Sequence, residues 1–461
     1  MSTDLRMRLA KLDEQIIELE QARATMKSEL YATAKYPVVD LPTEVTQKIF
    51  LQCHRVFDPL RIPSFEHSAP IVLSSVCQTW REAAVGTPEL WSSLVVLFDD
   101  IVASGLKPGV VEGIIELWLA RASDRPLSLG FESYTEDGPF TLSRWRGILH
   151  RWSPQIHDLD LFVGRLDLGQ LGLDLASFPL LQKASIRGGV SDPSQIFLNA
   201  PRLHDLCLVT ASQLTSPWAQ LTKFEGTISD LTLFTVAPNL TELICSFECD
   251  SDDLEIVTHS HLRSLTISET EEVSVLQYLT LPALKRLDIS DSPAYGALQS
   301  FFERSLPPLT ELVLHGEQAC LESWDEFTPL VADTLESLHI KNSLTTAFFV
   351  YPILDSLPNV RSLTFEKFTE DLDLNSLVRF LYAQSGNLRI FNIIYGPSHF
   401  FDCDAFAGFL DGEETVDTVN RHLARLVQSG MDVYFGTKEK NYLRTGYAGN
   451  SIPGNVRSFL V

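Results

Sequence analysis

The sequence predicts an α/β fold in which an N-terminal helix and a three-helix domain precede an irregular solenoid with a parallel sheet on its concave face. Three observations support this prediction. Residues 3–34 contain no glycine or proline, residues 38–92 carry short apolar helical stripes between prolines, and a short leucine pattern recurs from residue 93 onward. One compact core stops growing at roughly 250–300 residues, so a chain of 461 residues is expected to be divided or elongated.

Residues 1–36 are predicted to form an N-terminal segment in which one helix, over residues 3–34, carries a heptad seam. Its apolar side chains recur at alternating spacings of four and three residues, which is typical of a coiled coil, and Arg23 is the single polar interruption. The seam consists of Leu5, Leu9, Leu12, Ile16, Leu19, Met26 and Leu30. Two interpretations stay open, because the seam at residues 5–30 could pair with a partner, including a second copy, or could pack on the next domain.

Residues 37–92 are predicted to form three short helices around a small core. The first begins with L-P-T-E-V at residues 41–45, because proline suits a first helical turn and an acidic residue complements the helix dipole. The second helix carries V-C-Q-T-W-R at residues 76–81, and the third begins within T-P-E-L-W-S-S-L at residues 87–94. Each helix has one apolar stripe, so the three can share a core.

These three motifs, in this order, resemble the F-box in the form common among mushroom-type fungi, and the resemblance covers residues 40–94. It implies a surface that docks on the Skp adaptor of a Skp–cullin–F-box ubiquitin ligase, with the Skp adaptor and the cullin scaffold as partners. Packing in the core is an equal alternative for Trp80 and Trp91, and a cap on the repeats is the alternative for the whole domain. The matching positions at or beside the interface are Leu41, Pro42, Glu44, Val45, Ile49, Cys77, Trp80 and Trp91.

Residues 93–436 are predicted to form a leucine-rich-repeat-like solenoid, with a tail or cap at residues 437–461. The pattern L-x-x-L-x-L recurs at intervals of 18 to 28 residues, near the period of such repeats. One repeat cannot bury its own apolar side chains, so neighbouring repeats are expected to stack into a parallel sheet with a shared core. The fourth positions of the pattern are Leu159, Ala184, Leu206, Phe224, Leu243, Leu265, Leu287, Leu312, Leu338, Leu363 and Phe391.

The residues that flank each fourth position are expected on the concave face, where a protein substrate would bind. This face is polar with more acids than bases, and the loops after two adjacent strands are strongly acidic. The pattern predicts a docking patch for a basic peptide, and a solvated loop rim is the alternative, because charge runs on surfaces commonly serve solubility. The candidate substrate-binding acids are Glu248, Asp250, Asp252, Asp253, Glu269, Glu271, Glu272 and Asp288.

Composition and motifs argue against several other functions. A net charge of −24 repels nucleic-acid phosphates, and no apolar run approaches the roughly 20 residues of a membrane helix. Seven scattered cysteines without a signal peptide predict a cytoplasmic or nuclear chain. No zinc-ligand spacing, phosphate-binding glycine loop or nucleophile elbow is present, so no metal or cofactor is expected. The sequence therefore predicts a non-catalytic substrate adaptor of a ubiquitin ligase; the alternatives are a repeat scaffold or inhibitor without a ligase role, and an enzyme on a repeat scaffold.

Overall fold

The computed structural model describes the chain in segments and divides it into two compact units. The first unit consists of Met1–Glu132 with Gly138–Phe140, and the second of Ser133–Asp137 with Thr141–Val461. The described residues are 2–33, 41–56, 68–97, 107–133, 142–163, 176–188, 197, 199–211, 218–248, 254–269, 275–289, 296–315, 324–341, 356–368, 381, 387–395, 425–428 and 430–437.

The first unit is mainly helical. Its two strands, β1 and β2, pair in parallel, with Leu94 opposite Leu129. Helix α1 matches the predicted helix at 3–34 within a residue at each end. The elements are α1 (Ser2–Thr33), α2 (Thr43–Val56), α3 (Ala69–Val76), α4 (Gln78–Val85), a 3-10 helix (Pro88–Trp91), β1 (Ser93–Leu97), α5 (Pro108–Arg121) and β2 (Leu127–Ser133).

The predicted second helix of the three-helix region is divided into α3 and α4 by Cys77. This residue adopts an extended backbone conformation, with φ −157° and ψ 172°. The hydroxyls of Ser74 and Ser75 donate to carbonyl oxygens of their own helix, a bond that competes with the backbone ladder. The Arg81 Nε donates to the Ser74 carbonyl oxygen at 2.9 Å and so satisfies a group left open where α3 ends. The serines thus favour the break.

Aromatic pairs form the core of the first unit. The fully buried Trp91 packs edge-on against Trp118, with 4.9 Å between ring centroids, and its indole N–H donates to the Ala84 carbonyl oxygen at 2.8 Å. Phe50 of α2 packs edge-on against Trp80 of α4 at 5.1 Å. Such pairs stabilise a core by more than their buried area, so they hold α2, α4 and α5 around the 3-10 helix.

The second unit is built on a long parallel sheet. Its neighbouring strands follow the chain in the order β3-β4-β5-β6-β7-β9-β11-β12-β13-β14-β15-β16, and β8 and β10 pair separately. The strands are β3 (Ile156–Val163), β4 (Lys183–Gly188), β5 (Asp205–Ala211), β6 (Lys223–Ile228), β7 (Glu242–Phe247), β8 (Val257–Thr258), β9 (Ser264–Glu269), β10 (Leu279–Thr280), β11 (Arg286–Ile289), β12 (Glu311–His315), β13 (Ser337–Lys341), β14 (Ser362–Phe368), β15 (Ile390–Tyr395) and β16 (Asp432–Thr437). The helices are α6 (Leu142–Trp152), α7 (Thr232–Val236), α8 (Ala297–Ser305) and α9 (Trp324–Val331), with a 3-10 helix at Val275–Tyr278.

The register of the sheet brings the predicted fourth positions together in one row, which we call the core row. It runs from Leu159 opposite Ala184 to Phe391 opposite Val433, without a shift at these positions. Every member of the row is buried. The predicted parallel sheet is therefore confirmed, and one face of it carries a continuous apolar core. The predicted tail or cap at 437–461 lies outside the described residues, apart from Thr437 at the end of β16.

Polar side chains connect neighbouring turns just before the strands. In four repeats, the side chain of the residue before the first position of the pattern bonds to a carbonyl oxygen of the preceding turn. The Nδ2 atoms of Asn239, Asn359 and Asn387 donate to carbonyl oxygens at 2.7, 3.0 and 3.0 Å, and His261 Nδ1 lies 3.1 Å from the Pro238 oxygen. These bonds satisfy turn carbonyls that the strand ladder does not reach.

The buried histidine His259 is held in its neutral form. Its Nδ1 accepts the Leu262 backbone N–H at 3.1 Å, and its Nε2 lies 3.1 Å from the Ala237 carbonyl oxygen, which accepts from it. Burial lowers the pKa of His259, and this effect outweighs the bond to Ala237. A second proton on Nδ1 would break the bond from Leu262.

Acidification is therefore expected to destabilise the second unit partly through His259. Because the pKa is lower in the folded than in the unfolded chain, the unfolded chain takes up its proton first, at about pH 6.5, and the free energy of unfolding falls as the pH drops below that value. In urea titrations between pH 7.5 and 5, His259→Gln should have a shallower pH dependence than the wild type. The charge of the neighbouring His261 also lowers the pKa of His259, so His261→Gln should reduce the slope only in part. A His259→Gln protein with the slope of the wild type would exclude this role.

Candidate interaction surfaces

Helix α2 has one buried and one exposed apolar face. Thr46 and Phe50 are buried, whereas Val45 and Ile49 are 42% and 44% exposed. Leu41, four residues before Val45, is 36% exposed. Residues four apart lie above one another on a helix, so Val45 and Ile49 share one face of α2. Leu41 stands just before the first turn, and we call these three exposed side chains together the apolar stripe of α2.

Helix α3 exposes a second apolar stripe beside a buried residue. Val72 and Val76 are 44% and 57% exposed, whereas Leu73 is buried. In the described part of the second unit, large exposed apolar side chains are confined to three isolated positions, Ile256, Leu306 and Leu330. Exposed aliphatic side chains are thus concentrated on the helices of the first unit. The stripe of α3 was not among the predicted sites, although the four-residue spacing of its valines indicates it.

The residues predicted from the F-box resemblance differ in their exposure to solvent. Pro42 and Glu44 are exposed beside the apolar stripe of α2. Trp91 is fully buried, so the packing alternative describes it. Cys77 and Trp80 are half-buried, and Trp80 contacts the core through Phe50. The structure therefore brings the predicted residues of α2 to one surface and places Trp91 in the core.

The sheet of the second unit carries a second row on the face opposite the core row, because successive residues of a strand point to opposite faces. We call it the outer row. In β3–β9 its members are half-buried or exposed, whereas in β11–β16 they are all buried. The row consists of Asp160, Ser185, Cys207, Glu225, Ile244, Thr266, Asp288, Val313, His339, Thr364, Asn392 and Tyr434.

On the open part of this face, acidic and basic side chains of adjacent strands compensate one another. Lys183 Nζ lies 3.9 Å from Asp205 Oδ2, and Lys223 Nζ lies 3.0 Å from Glu242 Oε1. Arg187 donates through Nη2 to both carboxylate oxygens of Asp160, at 3.0 and 3.2 Å. A basic ligand on this face would therefore compete with the cations of the chain itself.

On strands β11–β13, where the outer row is buried, a compact group of charged side chains surrounds Asp288. We call it the Asp288 cluster. Asp288 Oδ1 accepts from His315 Nε2 at 2.9 Å, and its Oδ2 lies 3.3 Å from Arg286 Nη2 and 3.9 Å from Lys341 Nζ. Arg286 also pairs with Glu311. Burial favours a raised pKa for Asp288, but the hydrogen bond from His315 and the nearby cations outweigh it and lower the pKa.

A buried histidine–glutamate pair lies on strands β13 and β14. His339 Nε2 is 3.3 Å from Glu366 Oε2, and both side chains are buried. Burial lowers the pKa of His339, with the charge of Lys341 acting in the same direction and Glu366 opposing it. Asn392 is also buried and donates to Thr364 Oγ1 at 3.1 Å. This end of the sheet is therefore polar and shielded from solvent.

The predicted substrate-binding acids have different fates. Glu248 is exposed after β7, and Asp288 is buried and neutralised by its own cluster. Glu269 ends β9, with its side chain outside the described residues. The acids outside the described residues are Asp250, Asp252, Asp253, Glu271 and Glu272.

Three further kinds of evidence bear on function: metal-binding groups, membrane-spanning helices and similarity to known proteins. Within the described segments, no group of three or more histidine, cysteine or acidic side chains is placed to hold a metal ion. None of the described helices combines the length and the apolar character needed to cross a bilayer. A scan against models of known protein families finds no match, and a search of curated proteins finds no significantly similar protein.

Proposed function

We propose that this chain is a non-catalytic adaptor of a Skp–cullin–F-box ubiquitin ligase, which binds the Skp adaptor through α2–α4 and a protein substrate through the sheet of the second unit. The observation that carries the proposal is the apolar stripe of α2, where Leu41, Val45 and Ile49 stay exposed although α2 also buries Phe50 in the core. These are the positions that the F-box resemblance assigns to the adaptor.

The energetics of protein interfaces support such a role for the stripe. A few well-packed anchors supply most of the binding free energy of an interface. A helix that binds in a groove places apolar anchors at this helical spacing. Burying one such side chain contributes about 1.5–3 kcal/mol. The core beneath the stripe is held by the contact between Phe50 and Trp80, so the anchors stand on a rigid base.

The second unit supports the other half of the proposal. We regard its long parallel sheet as a leucine-rich-repeat-like solenoid in which the outer row of β3–β9 holds the substrate. Side chains there are accessible and form charge pairs across adjacent strands, such as Lys223 with Glu242. A substrate with charges of both signs, spaced to match the strands, fits this face better than a uniformly basic peptide. Each of its charges can pair with the oppositely charged side chain of a pair on this face.

The adaptor proposal is tested by the binding of purified Skp adaptor to the full-length chain. Val45→Asp combined with Ile49→Glu should weaken binding by at least about 30-fold, which corresponds to about 2 kcal/mol of lost anchor energy. Both replacements suit a helix, and the aspartate lies in its first turn, where a negative charge is favourable. The affinity is measured by titration calorimetry, with the fold checked by circular dichroism.

A matched control separates the stripe from surface hydrophobicity in general. Val110 is the third residue of α5, as Val45 is of α2, and it is 49% exposed. Val110→Asp should bind the Skp adaptor as the wild type does. A folded wild-type chain that fails to bind the adaptor would overturn the proposal and favour the repeat scaffold or inhibitor without a ligase role.

A further inference from the structure

The heptad seam of α1 is exposed to solvent at its described side chains. All described side chains of this helix are exposed, including three apolar members of the heptad seam. Ile16, Leu19 and Met26 are 52%, 70% and 64% exposed. Of the two interpretations of the seam, packing on the next domain therefore does not apply to its described side chains.

Contact with a partner would stabilise α1 more than its own backbone hydrogen bonds do in water. Helix formation has a costly nucleus, and most helical stability in proteins comes from packing an apolar stripe on another element. Helix α1 has 32 residues, and at 1.5 Å per residue it is roughly 48 Å long. A stripe of that length accommodates about four heptads, which is enough for a short two-stranded coiled coil.

Charge indicates what covers the stripe. The whole chain carries a net charge of −24, so two copies repel one another over most of their surface. Residues 1–35 carry equal numbers of acidic and basic side chains, which makes this segment a place where two copies can approach without that penalty. A second copy also supplies a seam of identical length and spacing.

The heptad positions favour a parallel arrangement. Ile16 occupies an a position and Leu19 the following d position, a combination typical of parallel dimers. Arg23 occupies the next a position, and a single polar residue there selects the in-register pairing. We propose that α1 pairs with α1 of a second copy in a parallel, in-register coiled coil, so that the protein is a dimer.

The dimer would have a consequence for the adaptor, and this consequence alone rests on the proposed function. Two copies joined at α1 present two sheets to one substrate or to an oligomeric substrate. The second contact is then intramolecular, and the overall affinity can exceed that of either sheet by 10²–10⁴-fold where both sites are reached together.

Two adjacent isoleucines provide the test. Ile16 lies in the seam and Ile17 beside it, and their exposed fractions are 52% and 55%. By analytical ultracentrifugation of the full-length chain, the wild type and Ile17→Asp should be dimers at micromolar concentration. Ile16→Asp should raise the dimer dissociation constant by roughly a hundredfold or more, because each copy loses a buried aliphatic side chain and gains a charge in the layer.

Cross-linking tests the orientation. Oxidation should convert Ile16→Cys, but not Ile17→Cys, into a covalent dimer, because only a parallel, in-register pair places the two residues at position 16 in one layer. A monomeric wild type, or equal dissociation by Ile16→Asp and Ile17→Asp, would overturn the proposal. The adaptor proposal is separable from this one, because Ile16→Asp should keep one-to-one binding of the Skp adaptor per chain.

Discussion

Replacing Gly226 with alanine is expected to lower the free energy of unfolding of the second unit by about 3 kcal/mol or more. Gly226 lies in β6 opposite Leu208 of β5 and has a φ of +156°. A Cβ atom there would stand 1.8 Å from the Leu208 carbonyl oxygen. That oxygen belongs to the backbone of a neighbouring strand, so relief requires β5 and β6 to separate and lose ladder hydrogen bonds.

The measurement for Gly226 is urea unfolding followed by circular dichroism, with a second glycine as control. Gly147 lies within α6, and a Cβ added there meets no atom within 4 Å. Gly147→Ala should therefore raise the stability, by about 0.5–1 kcal/mol, because alanine favours the helix and restricts the unfolded chain. Gly226→Ala and Gly147→Ala are thus expected to have opposite signs. A Gly226→Ala protein as stable as the wild type would show that an added Cβ atom does not force β5 and β6 apart.

Alternation along the strands made the sheet predictable. Leucines at the fourth and sixth positions of each repeat bury themselves only if neighbouring strands run parallel and in register, so the pattern carries both the strand and its pairing. The core row from Leu159 to Phe391 follows the prediction for this reason. The helical period grouped Val45 with Ile49 on one face of α2 but did not show whether that face is buried, and only the F-box resemblance indicated that these residues belong to an interface.

Three features could not be predicted in the same way. The division of α3 from α4 at Cys77 depends on local serine bonds that compete closely with a continuous helix, whereas the other two features depend on residues distant in the sequence. The repeat pattern places Gly226 opposite Leu208 but does not show how closely the Leu208 backbone approaches it. Asp288 was predicted as an open acid, yet the positions 315 and 341 that neutralise it are brought to it only by the pairing of β11–β13.

Replacing Asp288 with asparagine is the second change with a large expected effect. The substitution keeps the shape of the side chain and removes its charge, so Arg286, His315 and Lys341 lose their shared partner in a buried site. Removing one partner of a buried charged group typically costs about 3–5 kcal/mol of unfolding free energy, because the remaining charges stay desolvated. Urea unfolding at pH 7 measures this loss.

The same row of the sheet supplies the control. Asp160 occupies the outer row on β3 as Asp288 does on β11, but it is partly exposed and pairs with the half-exposed Arg187. Asp160→Asn should cost less than about 1 kcal/mol, since exposed ion pairs contribute little. Equal losses in the two variants would show that burial of the Asp288 cluster is not what makes its charge important.

Acid should remove the advantage of the wild type over Asp288→Asn. The pKa of Asp288 is lower in the folded chain, so its stabilising contribution is complete above the unfolded value of about 3.9 and is lost as the pH falls through the folded pKa. The stability difference between the two proteins should therefore shrink below pH 4. A difference that persists at low pH would mean that the side chain acts through hydrogen bonds that asparagine does not replace, and that the loss of its charge is not the cause.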